Sequence, residues 1–186
     1  MNPTSNKSDF EDLTTNLKDL AYSYLEKYSP SKQQLKVYLL KKYLTKIKGS
    51  KSKKEVTSII NEIVLNLEKN KLLNDEMYSD SKARMFLRRG YSLNKINQSL
   101  RNKGIEDKYV KQSIEKIKEN QIEPDFVSAL KLCKRRRIGP VRPESNRELF
   151  FKKDMGILAR GGFSFDLSKR ILDLDSEEFK KLIKII

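Results

Sequence analysis

The 186-residue chain carries 40 Lys and Arg against 25 Asp and Glu, a formal charge of +15, with one Cys, no His and no Trp. These counts exclude Ser-His-Asp and Cys-His catalysis, histidine metal sites, an internal disulfide and Cys-based zinc binding. No apolar run approaches the ~18 residues of a membrane span, and the start MNPTSNKSDFED is too polar for a secretion signal. A soluble cytoplasmic protein is expected, since a single Cys suits a reducing compartment. Its basic excess predicts polyanionic partners or acidic protein surfaces.

In chain order, residues 1–9 read as a disordered start. Leu13, Leu17, Leu20, Ala21, Tyr24, Leu25 and Tyr28 then recur at steps of three and four, the stripe of a packed helix. Lys46 to Lys54 is polar, basic and interrupted by Gly49, and reads as a mobile loop. Val56, Ile59, Ile60, Ile63, Val64 and Leu67 form a second stripe. Asn74 is placed to cap the helix that contains Met77 and Ala83, and Gly104 to end one after Lys103. Pro124 suits the first turn of a helix whose stripe is Phe126, Ala129, Leu130 and Cys133. Gly139, Pro140 and Pro143 require a stop near Arg137 and a restart near Glu144. A last helix begins near Ser176, with Phe179, Leu182, Ile183 and Ile186 on one face. No segment shows strict alternation with turn pairs, so the fold class is all-α, with nine or ten helices.

One pattern occurs three times. Leu25-Glu-Lys-Tyr-Ser-Pro-Ser31 precedes Leu35 and Leu39; Phe86-Leu-Arg-Arg-Gly-Tyr-Ser92 precedes Ile96 and Leu100; Leu158-Ala-Arg-Gly-Gly-Phe-Ser164 precedes Ser168 and Leu172. Each Ser is read as the cap of a helix whose i, i+4, i+8 stripe packs back on its predecessor. Gly90 and Gly162 take the turn position, and Tyr91 and Phe163 precede the cap as hydrophobic staples. The expected architecture is three tandem three-helix units, 10–73, 74–122 and 123–186, in an elongated, curved body.

Chemistry-bearing clusters are few. Asp173, Asp175, Glu177 and Glu178 read as residues at a helix start rather than a metal site, and Asp75 and Glu76 likewise. Cys133 reads as a buried small hydrophobe, and the Tyr and Phe residues as core rather than a base-stacking platform. No cofactor or metal is expected, and no catalytic residue is assigned. The cations are the candidate partner-binding set. Arg84, Arg88 and Arg89 end one helix, and Lys134, Arg135, Arg136 and Arg137 end another. Arg142, Arg147, Lys152 and Lys153 extend the second region. Consecutive helical residues fan around the axis, so the run of four cannot meet one partner together.

The ordered motifs resemble the RecX family over residues 13–184. They are Ala21 to Leu40; Leu72-Leu-Asn-Asp-Glu-Met-Tyr78 through Arg88-Arg-Gly-Tyr-Ser92 to Leu100-Arg-Asn-Lys-Gly104; and Lys134-Arg-Arg-Arg-Ile-Gly-Pro140, Lys153-Asp-Met155 and Arg160-Gly-Gly-Phe-Ser164. The chain departs from the family in its Ser-Pro-Ser turn, in the Lys-rich loop, and in Lys or Asn where Arg is usual. The resemblance implies a non-enzymatic regulator that binds the RecA recombinase as a filament on single-stranded DNA. It implies inhibition of ATP hydrolysis, coprotease activity, strand exchange and filament growth from within the filament groove. A monomer is expected, with a weak direct DNA contact as a secondary feature. The rival expectations are a basic helical nucleic-acid-binding protein that acts without a recombinase, and a scaffold for another acidic protein.

Overall fold

The computed structural model describes residues 3–47 and 52–185, with side chains for 11–45 and 52–185. Ten α-helices and no strand occur among the described residues. They are α1 (Pro3–Lys27), α2 (Lys32–Lys42), α3 (Lys53–Lys69), α4 (Asp75–Arg88), α5 (Leu93–Arg101), α6 (Asp107–Asn120), α7 (Pro124–Arg136), α8 (Glu144–Arg160), α9 (Phe165–Leu172) and α10 (Ser176–Ile185). A π-helical turn, Tyr43–Ile47, follows α2, and a 3-10 turn, Gly139–Val141, follows α7.

The chain is all-α, as the periodicity predicts. Helix α1 begins at Pro3, inside the stretch read as a disordered start; a proline loses no hydrogen bond in a first helical turn. Of the loop read over Lys46–Lys54, residues 48–51 lie outside the described residues. Lys53 and Lys54 already belong to α3, because Ser52 and Glu55 form a capping box that starts the helix early.

The chain divides into two compact units, Met1–Tyr78 with Lys103–Ile105, and Ser79–Asn102 with Glu106–Ile186. In the first, Leu13, Leu17 and Ala21 of α1, Leu35 and Leu39 of α2, and the whole predicted stripe of α3 are buried together. Each fully buried Leu contributes about 1.5–3 kcal/mol. Tyr24 stacks on Tyr38 at 4.0 Å, which supports the core reading of these rings, whereas Tyr28 is exposed. In the second unit, Ala129, Leu130 and Cys133 of α7 pack with Leu158, Ile171, Leu172 and Phe179.

The serine caps recur. Ser31, Ser92 and Ser164 have nearly the same backbone (φ −74°, −66° and −66°; ψ 161°, 159° and 160°), and each Oγ accepts the N–H three residues on. At Ser31 and Ser92 the surroundings recur as well. The next N–H, of Lys32, donates to Asp75 at 2.9 Å, and that of Leu93 donates to Asp125 at 2.7 Å. Ser31 Oγ donates to the Lys103 carbonyl at 3.0 Å, and the Ser92 N–H to the Gly161 carbonyl at 3.2 Å. A positive-φ glycine follows each carbonyl, Gly104 (φ 74°) against Gln33 and Gly162 (φ 87°) against Ser92, with no room for a Cβ.

These paired contacts set a register. The α5–α6 turn serves the start of α2 as the α8–α9 turn serves the start of α5. Ser164, which opens α9, shares the local cap of the other two serines.

Candidate functional site

The end of α4 presents Arg84 and Arg88 exposed and four residues apart, followed by exposed Arg89. Gly90 then turns the chain with φ 72°, its Cα so close to the Ser128 carbonyl that a Cβ would lie 2.8 Å from it. The Tyr91 ring stacks on Phe86 at 5.3 Å, with the planes 3° apart. Lys95 follows in the first turn of α5, its N–H held by Ser92 Oγ at 3.1 Å.

The end of α7 reaches the same place. Arg137 takes the left-handed conformation (φ 53°), and the Ile138 N–H returns to the Cys133 carbonyl at 3.1 Å. The cations before it stay exposed in the last turn, where they favour the helix dipole. Of the run, Arg135 and Arg136 line a cleft of about 340 Å3 together with Tyr91, Lys95 and Arg160. Leu132, Ile157 and Gly161 complete its wall, and no carboxylate lines it. Lys134 and Arg137 are exposed at the same helix end but do not line the cleft.

Other predicted cations are engaged elsewhere. Arg142 grips buried Asp154 through two bonds, Nε to Oδ2 at 2.7 Å and a terminal nitrogen to Oδ1 at 2.9 Å. The Gly139 N–H adds a third at 2.9 Å, and the guanidinium lies over Phe150 at 4.4 Å. Arg147 donates to the carbonyls of Pro140 and Leu174 and to Ser176 Oγ. Both arginines hold the 3-10 turn in place. Lys153 also lies over Phe150, at 5.6 Å, and Lys152 lines a separate cleft that contains Glu148 and Asp173.

Arg84 belongs to a third cleft, with Asp80 and Lys116. Asp80 accepts from Ser113 and Lys116, each at 2.6 Å. Burial pushes the Asp80 carboxyl up, but these two hydrogen bonds and the charges of Lys116 and Arg84 outweigh it and hold the carboxyl below its ordinary range. Lys95 and Arg160 were not among the predicted partner-binding cations because neither has a cation beside it in the sequence. Their position beside Ser92 and the Gly-Gly turn was the available signal.

Among the described residues, no group of three or more His, Cys, Asp or Glu is placed to hold a metal ion. Asp175 caps α10, accepting the N–H groups of Glu177 and Glu178 at 2.8 and 2.7 Å, and Asn74 accepts the Met77 N–H at 3.0 Å. Cys133 is buried, and burial together with Asp154 pushes its thiol up to about 12. No helix among the described residues is long and apolar enough to cross a membrane.

Fold and site together define an all-helical basic protein with a cleft lined by cations. Over 161 residues the chain is 34% identical to Regulatory protein RecX of Myxococcus xanthus, covering 86% of this chain and 85% of that one. Over 113 residues it is 26% identical to Regulatory protein RecX of Agrobacterium fabrum, covering 61% and 58%. The chain belongs to the RecX family of regulatory proteins. No family model matches it, and no solved structure does.

Proposed function

We propose that the chain is a negative modulator of a RecA-type recombinase. It binds the recombinase filament on single-stranded DNA and inhibits ATP hydrolysis, strand exchange and filament growth. The observation that carries this reading is the family likeness, which runs through 86% of the chain rather than one motif. The mechanism is differential binding: tighter association with assembled neighbours than with free subunits holds them in a state poor at turnover. The protein performs no covalent chemistry in this scheme and works as a cytoplasmic monomer.

Exposed cations supply the attraction, so inhibition should form fast and weaken with salt. The test adds the protein to recombinase filaments on single-stranded DNA and follows ATP hydrolysis. Hydrolysis should fall as the protein is titrated in low salt. Unchanged hydrolysis at several-fold excess rejects the reading. A second reading, a nucleic-acid-binding protein acting without a recombinase, is favoured by one observation, the cation-lined cleft free of carboxylates. Tight, salt-steep DNA binding with no recombinase effect would select it.

A further inference from the structure

We infer that the cleft between the α4–α5 turn and the ends of α7 and α8 is a phosphodiester-binding site that takes the backbone of single-stranded nucleic acid. Lys95, Arg135, Arg136 and Arg160 converge there. Among the described residues none of these four side chains has a hydrogen bond or ion pair within the protein, whereas Arg142 and Arg147 do. Four like charges in about 340 Å3 repel one another, and an anion relieves that repulsion.

The chemistry favours phosphate over carboxylate. Three of the four groups are guanidinium forks, which match phosphate oxygens two at a time. A nucleic-acid strand brings a charge with every residue, whereas a peptide must be an unbroken acidic run to do the same. The remaining lining, Tyr91, Leu132 and Ile157, is apolar and suits sugars and bases without reading sequence. The fold holds the site in shape: the Gly90 turn packs on α7, the Ser92 N–H binds the Gly161 carbonyl, and Asp125 of α7 holds the start of α5. The cations therefore stand on three helix ends tied to one another.

This inference deepens the proposed function by naming the face that meets the strand, and it rests on that reading only for the strand being at hand. The test leaves the recombinase out, so the two fail separately. Labelled oligothymidylate is titrated with the full chain, by anisotropy, across a salt series. The double variant Arg135→Gln/Arg160→Gln is compared with Lys111→Gln/Lys169→Gln, which removes the same charge from exposed positions away from the cleft. The cleft variant should bind about tenfold more weakly or worse, with a salt slope shallower by roughly 1.4, since each phosphate contact contributes about 0.7 on a single strand. The control pair should stay within about threefold of the parent. Matching thermal melts confirm that both variants fold. Equal loss in the two variants overturns the site, because net charge alone would then explain binding. No binding by the parent in low salt overturns it too. So does displacement by polyglutamate at lower concentration than by unlabelled oligothymidylate, which would make the cleft an acidic-protein site.

Discussion

Asp154 is buried, and its carboxylate is met by a bidentate guanidinium and a backbone N–H. Asp154→Ala strands all three donors. It should lower stability by about 3 kcal/mol in urea titration, the low end for a broken buried pair, because Arg142 keeps some contact with water. Asp125 behaves differently. Burial raises its carboxyl and the Leu93 N–H offsets this only in part, so the folded state favours the proton. Its contribution is therefore full below the ordinary Asp range and declines as pH rises through the raised value. Asp125→Asn keeps an acceptor for that N–H without a buried charge. It should be as stable as the parent at pH 7 or more so, whereas Asp125→Ala should lose about 1 kcal/mol. A comparison of melts at pH 4 and pH 7 checks the sign. Cys133 should resist a thiol reagent until the chain unfolds, since burial suppresses its thiolate. The serine caps were legible because a cap acts over three residues. Asp75 and Asp125 were not, because they act 43 and 32 residues away.

At the scale of the element, the end of α7 shows where local reading stops. The sequence placed the helix end at Arg137 because Gly139, Pro140 and Pro143 cannot continue it. It could not show that Arg137 itself adopts the left-handed conformation, which suits glycine better. Arg137→Gly should raise stability by about 1 kcal/mol, read as a shift in the urea midpoint at unchanged slope. The run Lys134–Arg137 was visible as composition, and its fan around the axis predicted that only part of it would face one way. Which part depends on Leu132 and Cys133 being buried, and that is a property of packing. Lys95 and Arg160 come from α5 and α8, so no window along the chain joins them to Arg135. By contrast, all six stripe residues of α3 are buried as read, because an amphipathic helix carries its own instruction.

For the molecule as a whole, a charge of +15 built without His should hold steady through neutrality. His is the side chain whose unperturbed titration falls there. Filament inhibition and strand binding should thus vary little between pH 6 and 8 yet fall steeply with added salt. A pronounced pH step in either assay would contradict this. The three serine motifs predicted a threefold repeat, and the local caps recur at all three. At Ser31 and Ser92 neighbours distant in the chain add to the cap. Those neighbours have a consequence for synthesis. The start of α2 is completed by Asp75 and Lys103, and the start of α5 by Asp125 and Gly161, residues made later in every case. On the ribosome each of these helices should keep only its local serine cap until the following stretch of chain emerges to complete it. A nascent chain stopped before Gly161 would leave α5 unfinished, while α2, already closed, would be protected from exchange.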